Sequence, residues 1–331
     1  MINRLKNSPL FYLVLLALVV FVVHFWSTIL EMIDAPEKIQ SFIVLRLKNV
    51  STILDLNWKH FFTDISLVSV ALVIEIIFVG WEYSSLKKLL KRGNKSLQTD
   101  VFFFVLAVTN SFKFLSVVLT FGIFYFAFGI VSDFGHLNLA ALIPFPWLQI
   151  LVLSVISEFT AYWAHRLSHK FSWWWAAHRF HHSAEEMGTL TYYRVHFLES
   201  QINQLFRVIP FVIFGAPLQY FVIYYIITEL HNLLIHSEIK SDWGWVGKYL
   251  IISPLAHRIH HSNRSEHYHS NYSNFLTVWD RLFGTFIEKA EVKELGLSEN
   301  PYNQKGIFND LWIPYKDFVN AISTTKSNSG V

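Results

Sequence analysis

Long apolar runs separated by short polar segments fill the first half of the chain. A helix needs ~20 apolar residues to cross a bilayer core, and four runs provide about that many: residues 9–30, 61–83, 112–132 and 140–160. A further apolar stretch, 205–227, is interrupted by Pro210 and Pro217, which leaves two arms of about 10–12 residues. The pattern predicts an all-α integral membrane protein with about four transmembrane helices and a re-entrant helical hairpin, which returns the chain to the side it left.

Basic residues indicate how these helices are oriented. Five of them lie between the second and third runs: Lys87, Lys88, Lys91, Arg92 and Lys95. Because clusters of Lys and Arg usually stay on the cytoplasmic side, we expect the N-terminus and the end of the fourth run to lie there. The first run is expected to be a retained anchor, since it is too long for a signal-peptide core and no small-residue cleavage site follows it.

The composition supports a membrane location and excludes several classes of function. Hydrophobic residues make up 53% of the chain and charged residues 15%, whereas a typical soluble domain carries about 25% charged residues. The net charge of +3, without a basic tail, argues against a nucleic-acid partner. Because the chain has no cysteine, disulfides, thiolate zinc sites and iron–sulfur clusters are excluded.

Histidine is the unusual residue of the second half. The chain has 16 histidines, and most of them follow the fourth run. Two near-identical pentapeptides, HRFHH at 178–182 and HRIHH at 257–261, place their histidines at i, i+3 and i+4. On a helix these positions share a face. His165 and His169 have the i, i+4 spacing with which one helix presents two imidazoles to one metal ion.

The histidines are too numerous for one metal ion and suit two. The candidate ligands are His165, His169, His178, His181, His182, His231, His236, His257, His260 and His261. His231 and His236 lie five residues apart, a less regular spacing that leaves the role of His231 open. Imidazole nitrogen suits Fe, Zn, Cu or Ni, and the sequence does not choose among them. Other polar residues near the clusters are candidates for binding substrate or for orienting the ligands: Glu158, Arg194, His196, Glu229, Asn271 and Asp280.

Six segments in a fixed order resemble the fatty acid hydroxylase / sterol desaturase superfamily. They are EFTAYWAHRLSH, WWWAAHRFHHSAEE, TYYRVHF, LIHSE, SPLAHRIHHS and NYSNFLTVWDRLFGT. The last segment is expected to form an amphipathic helix that lies on the membrane and caps the histidines. The chain then divides into N-terminal transmembrane helices at 1–140, a fatty acid hydroxylase-like catalytic domain at 141–290 and a polar C-terminal tail at 291–331.

The resemblance implies an oxidoreductase, a non-haem di-iron oxygenase that uses O2 to hydroxylate or desaturate a lipid C–H bond. Two Fe ions would be held by the ten histidines in a helical cap on the cytoplasmic face. The substrate would be a membrane lipid, and electrons would come from a separate donor, a haem or iron–sulfur carrier with its reductase. The segment AAHRFHHSAEE also resembles alkylglycerol monooxygenase, which would imply ether-lipid cleavage with a reduced pterin.

Two functions of other classes compete with this interpretation. A histidine-rich membrane metal transporter would be expected to carry polar residues inside several spans and a repeated topology, whereas here the histidines gather at one end of the runs. A membrane zinc hydrolase would be expected to carry an HExxH motif, and the sequence has none. The lipid substrate, the choice between hydroxylation, desaturation and ether cleavage, and the oligomeric state are left open.

Overall fold

Three helices are long and apolar enough to cross a membrane, which indicates an integral membrane protein. The computed structural model describes residues 58–91, 94–109, 111 and 138–327, and the candidate spans within them are Phe61–Val79, Pro146–Lys170 and Leu218–Ile235. Their outer side chains suit lipid, since Ile77, Trp147 and Ile227 are 75%, 64% and 53% exposed. The predicted runs at 9–30 and 112–132 lie outside the described residues.

The described residues are mostly helical. Their only β-contacts are two isolated bridges, so the all-α prediction is confirmed for this part of the chain. The α-helices are α1 Trp58–Val79, α2 Ser85–Leu90, α3 Lys95–Val108, α4 Pro146–Lys170, α5 Ser172–His178, α6 Phe197–Ile213, α7 Leu218–Ile235, α8 Gly244–Tyr249, α9 Pro254–His260, α10 Val278–Leu282 and α11 Ile307–Ser327.

Helices α6 and α7 form the predicted hairpin, but its arms are longer than expected. They have 17 and 18 residues, because each helix continues beyond the apolar run into more polar sequence. The turn uses Gly215, whose φ of 67° is readily adopted only by glycine. Phe211, Phe221 and Tyr224 pack there with Leu153 of α4. Since α7 is long enough to span a membrane by itself, the prediction of two short re-entrant arms was wrong in length.

The segment predicted to be a polar tail contains a helix that packs on the histidine-bearing part of the fold. Phe318 of α11 contacts Trp173 of α5, with ring centroids 6.0 Å apart. Asp317 pairs with Arg179 at 2.8 Å. Apolar side chains three or four positions apart, Leu311, Tyr315 and Phe318, face one core cluster, as expected of one side of an amphipathic helix.

The segment expected to form one amphipathic helix over 271–285 is helical only at Val278–Leu282. Residues 271–277 instead form an extended loop, which Asn271 begins with a φ of 54°. In such a loop the backbone carbonyls are free to accept hydrogen bonds from side chains. This difference matters for the site, because two carbonyls of this region contact histidines.

Candidate metal centre

Nine of the ten predicted histidines come together in two groups near the end of α4. In each group, one ligand atom from every residue lies within 4.8 Å of the others. The first group is His165, His169, His178, His182 and His260, and the second group is His181, His236, His257 and His261. Eight of the nine are buried and His169 is half-buried.

Each pentapeptide contributes to both groups. His178 and His182 belong to the first group and His181 to the second, whereas His257 and His261 belong to the second and His260 to the first. The prediction of three histidines on one helix face is therefore only partly right. Helix α5 ends at His178 and a 3-10 turn, His181–Ser183, follows. The second pentapeptide lies at the end of α9, with His261 as its C-cap.

In the first group, hydrogen bonds fix which ring nitrogen is free. The Nδ1 atom of His165 donates to the carbonyl of Tyr272 at 2.7 Å, and that of His260 donates to the carbonyl of Ser270 at 2.7 Å. His178 Nδ1 contacts the carboxylate of Glu199. Each ring therefore keeps a lone pair on Nε2. The Nε2 atoms of His165 and His260 are buried without a hydrogen-bond partner, which is unfavourable unless a cation is bound there.

In the second group, two ring nitrogens that both carry lone pairs face each other. His181 Nδ1 donates to the carbonyl of Arg194 at 3.2 Å, and His236 Nδ1 donates to the carbonyl of Asn232 at 2.7 Å. Their Nε2 atoms are then both lone-pair acceptors, yet they lie 3.2 Å apart. Two nitrogens bound to one metal at about 2.1 Å are separated by roughly 3 Å or slightly more. The donor set of both groups thus fits a metal ion.

Several grouped histidines outside the candidate spans are held in the neutral form that binds metals. Burial lowers the pKa of His260 to about 3 and that of His236 to about 4. Burial also lowers the pKa values of His181, His257 and His261 well below the usual range, and neighbouring histidines lower them further. A site of neutral imidazoles can accept a cation without first losing protons.

The structure does not bring His231 into either group. Its Nδ1 atom lies 3.0 Å from the carbonyl of Asn274, and its Nε2 atom lies 3.0 Å from the carbonyl of Ile252. The five-residue spacing explains this position, because residues five apart on a helix point about 140° away from each other. His236 faces the second group, and His231 instead fastens α7 to the loop before α9.

Two of the predicted acidic residues form a buried polar network among α4, α6 and α7. Glu158 accepts a hydrogen bond from the hydroxyl of Tyr224 at 2.7 Å. Glu229 accepts one from the hydroxyl of Tyr192 at 2.7 Å and lies 3.9 Å from the guanidinium of Arg207. Neither carboxylate belongs to a histidine group. Their contacts join the helices that carry the site.

Arg194 and His196, predicted to bind substrate, are tied to protein groups instead. The Arg194 side chain is fully buried and donates to Asp100 at 2.6 Å and to Asn303 at 3.1 Å. His196 Nε2 donates to the carbonyl of Leu311 at 3.1 Å, and burial lowers its pKa to about 3. Arg194 acts on the site through its backbone, since its carbonyl accepts the hydrogen bond of His181.

Asn271 and Asp280 hold the loop that orients the first group. Asp280 accepts hydrogen bonds from the backbone N–H groups of Tyr272 and Ser273, both at 2.8 Å. The amide of Asn271 donates to the carbonyl of Ala256 at 2.9 Å, which ties the loop to α9. Because the Tyr272 carbonyl accepts from His165, these two residues position the ligands without being ligands.

Sequence reasoning missed Glu199, the only carboxylate among the described residues that contacts a histidine of either group. It lies in the first turn of α6, 21 residues after His178. No spacing rule connects the two positions, because they lie on different helices. The carbonyls of Ser270 and Tyr272 were missed for a related reason, since any residue supplies a carbonyl.

Comparison with known proteins agrees with this geometry. The fatty acid hydroxylase family model matches residues 150–285, which contain both histidine groups. This segment is similar to fatty acid hydroxylase domains. The resemblance seen in the sequence motifs is confirmed, and no solved structure matches the chain.

Three curated relatives illustrate the range of the domain. An alkylglycerol monooxygenase of Xenopus tropicalis is 31% identical over 48% of this chain and 34% of its own length. An ornithine lipid hydroxylase of Rhizobium tropici is 33% identical over 42% of this chain and 41% of its own. A Delta(7)-sterol 5(6)-desaturase of Gibberella zeae is 26% identical over 43% and 38%. The matched segments thus span well under half of each relative.

Proposed function

We propose that the protein is a membrane-bound di-iron oxygenase that uses O2 to hydroxylate or desaturate a C–H bond of a lipid. The observation that carries this proposal is the pair of histidine groups, whose unpartnered or facing ring nitrogens fit one metal ion each. The relatives of the domain act as monooxygenases, hydroxylases and desaturases by name. The all-nitrogen donor set is compatible with iron and contains no thiol that an oxidant could attack.

The nine grouped histidines would hold the two irons, which supply the oxidising power toward an unactivated C–H bond that amino-acid side chains lack. The protein's own residues set the geometry of the site. Glu199 and the carbonyls of Ser270 and Tyr272 fix the rings of the first group. Burial excludes water from the second group, all four members of which are buried.

We place the histidine groups and the N-terminus on the cytoplasmic side, as the basic segment at 87–95 indicates. The start of α2 lies near this end of the molecule, since Lys88 pairs with Glu238, two residues after His236, at 2.7 Å. A lipid would reach the site from the bilayer beside α4. A separate electron carrier with its reductase would reach it from the cytoplasm.

Ether-lipid cleavage with a reduced pterin is the second candidate. It is favoured by the 31% identity to the alkylglycerol monooxygenase over 163 residues. Lipid analysis separates the two candidates. Ether cleavage consumes an alkylglycerol, whereas hydroxylation or desaturation leaves the number of hydrocarbon chains on the lipid unchanged.

The decisive experiment measures metal and oxygen incorporation together. The full chain, purified in mild detergent without chelator, is expected to contain about two irons, and both His178→Ala and His260→Ala should contain clearly less. The matched control is His267→Gln, a buried histidine outside both groups. Membranes supplied with 18O2 should yield either a hydroxylated lipid that carries the label or a desaturated lipid that does not.

Zinc in place of iron would be followed by anaerobic reconstitution with Fe(II). A folded parent that retains no metal above background after reconstitution would contradict the proposal. Unchanged lipids in membranes that contain the iron-loaded protein and an electron donor would also contradict it.

A further inference from the structure

One face of α4 changes from aromatic to basic along its length. Phe159, Trp163, Arg166 and Lys170 are spaced by four, three and four residues, so they share a face of the helix. Phe159 and Trp163 have ring centroids 6.4 Å apart, and Trp163 also contacts Phe283 at 5.1 Å. This face therefore combines a partly buried aromatic cluster with two cations at the end that carries the histidines.

A cavity of about 300 Å³ lies at the basic end of this face. Its lining consists of Arg166, His169, Lys170, His269, Tyr272 and Thr285. No carboxylate lines the cavity, and no carboxylate of the described residues forms an ion pair with Arg166 or Lys170. Arg166 instead donates to the hydroxyl of Tyr162 at 3.0 Å. The cavity lining therefore carries net positive charge, and the buried Asp280 lies behind it, where it accepts a hydrogen bond from Thr285 at 2.6 Å.

The same cavity reaches the first histidine group. His169 belongs both to the lining and to that group, and it is the only member of either group that is not buried. The ring of Tyr272, another lining residue, lies 5.2 Å from the His169 ring. A molecule in the cavity would thus touch the first group on one side and the two cations on the other.

The position of the cavity in the membrane selects the kind of ligand. Lys170 is the last residue of a candidate span, which places the two cations at the level of lipid headgroups. The aromatic residues suit an acyl or alkyl chain, and the charges of Arg166 and Lys170 suit a phosphate or carboxylate. We infer that this cavity binds the anionic headgroup of the lipid substrate, so that the carbons nearest the headgroup face the first histidine group.

This inference rests on the proposed function and names its substrate class, an anionic amphiphile. It is tested by binding, which needs no turnover. The full chain is placed in nanodiscs of neutral lipid, and equilibrium dialysis measures the binding of hexyl phosphate, hexanol and inorganic phosphate, with empty nanodiscs subtracted. The iron content of every preparation is measured alongside.

The variants separate the cavity from basic charge in general. Arg166→Gln combined with Lys170→Gln removes both cations, and Arg166→Lys combined with Lys170→Arg keeps them. The control is Arg281→Gln, which removes an exposed cation on α10 that stacks on Tyr249, 4.6 Å from the ring centroid, outside the cavity.

We expect the parent to bind hexyl phosphate at least ten-fold more tightly than hexanol or inorganic phosphate. The charge-removing variant should lose at least ten-fold in affinity, whereas the charge-keeping variant and Arg281→Gln should stay within about three-fold of the parent. Equal binding by the charge-removing variant would overturn the inference. Inorganic phosphate binding as tightly as hexyl phosphate would also overturn it, since the cavity would then hold a free anion.

The iron content distinguishes this failure from a failure of the proposed function. A parent that holds iron but does not discriminate among the three probes contradicts only the headgroup assignment. A parent that discriminates among the probes but holds no metal after reconstitution contradicts only the oxygenase.

Discussion

The two histidine groups use the same side chain but differ in what surrounds it. The first group has five members, one of them half-buried, and it opens through His169 to the cationic cavity. The second group has four members, all buried. A carboxylate, Glu199, contacts only the first group, whereas His181 and His236 in the second donate hydrogen bonds to backbone carbonyls. The first group can therefore be reached from the cavity, whereas the second group is enclosed by protein.

The division also shows why the pentapeptide occurs twice. In the first copy, the i and i+4 histidines belong to the first group and the i+3 histidine belongs to the second. In the second copy this assignment is reversed. Two metals bound in these groups would therefore be held in a fixed relation by two short helical segments. A change in one pentapeptide must disturb both groups, but unequally.

The largest expected effect comes from two neighbouring positions in α9. His260→Ala removes one of five members of the first group, and His257→Ala removes one of four members of the second. Each variant should lose all detectable activity, because the proposed reaction requires both metals. The iron content separates them, since each variant should lose about one iron from a different group. Activity retained in either variant, or loss of the same iron in both, would refute the division into two groups.

The metal-free protein should lose stability as the pH falls. The pKa of His260 is about 3 and that of His236 about 4 in the folded chain, against about 6.5 in an unfolded one. Below pH 6.5 the unfolded chain therefore binds protons that the folded chain does not. Each such histidine lowers the free energy of unfolding by about 1.4 kcal/mol per pH unit, until the pH reaches its folded pKa.

Thermal unfolding of the metal-free chain at pH 7.5, 6.5 and 5.5 measures this dependence. Between pH 6.5 and 5.5, His236→Gln and His260→Gln should each reduce the slope of unfolding free energy against pH by the contribution of one histidine. The control is Ser265→Ala, which changes an exposed residue, removes no titratable group and should leave the slope unaltered. A slope lost in only one of the two variants would mean that the groups differ in protonation as well as in access.

Arg194→Gln should weaken the second group more than the first. The substitution leaves Asp100 buried without its ion-pair partner, whose Nε lies 2.6 Å away, and breaking such a pair costs about 3–5 kcal/mol of unfolding free energy. The backbone of the same residue holds His181. On heating, we expect the second group to release its metal before the first, as followed by metal loss and thermal unfolding.

Arg179→Gln is the matched control for this variant. Its ion pair with Asp317, at 2.8 Å, is about 30% exposed on each side, so its loss should change the unfolding free energy by no more than about 1 kcal/mol. Equal destabilisation by the two variants would show that the buried Arg194–Asp100 pair contributes no more to the unfolding free energy than the exposed Arg179–Asp317 pair.

Local spacing made part of the site predictable from sequence. The pair His165 and His169 and the two pentapeptides are short-range patterns, and the structure brings all eight of these histidines into the two groups. Which histidine joins which group could not be predicted, because helix α5 ends inside the first pentapeptide and the chain changes to a 3-10 turn.

Contacts between distant parts of the chain were not predictable. Arg194 and Asp100 are 94 residues apart, and their pairing depends on how α3 packs against the 3-10 turn at Thr189–Tyr193. The apolar spacing of α11 was present in the sequence, but the many polar residues around it led to the prediction of a polar tail. The hairpin arms were underestimated because helices continue past their apolar stretches wherever tertiary contacts cover the polar ends.

The smallest expected effect tests the one carboxylate that distinguishes the groups. In Glu199→Gln, the hydrogen bond to His178 can persist through the amide oxygen, but the negative charge that makes the imidazole a stronger ligand is lost. Affinity of the first group for Fe(II) should fall by about 10–100-fold, and that of the second should not change. Anaerobic titration with chelators of graded strength would show the two affinities separately.

Glu186→Gln is the control for that titration, since Glu186 accepts a hydrogen bond from Asn94, pairs with Lys88 and belongs to neither group. It should leave both affinities at the parent values. A parallel fall in both affinities in Glu199→Gln would mean that the charge acts on the two metals together. The carboxylate would then stabilise the pair of groups as one unit, and access alone would distinguish the first group from the second.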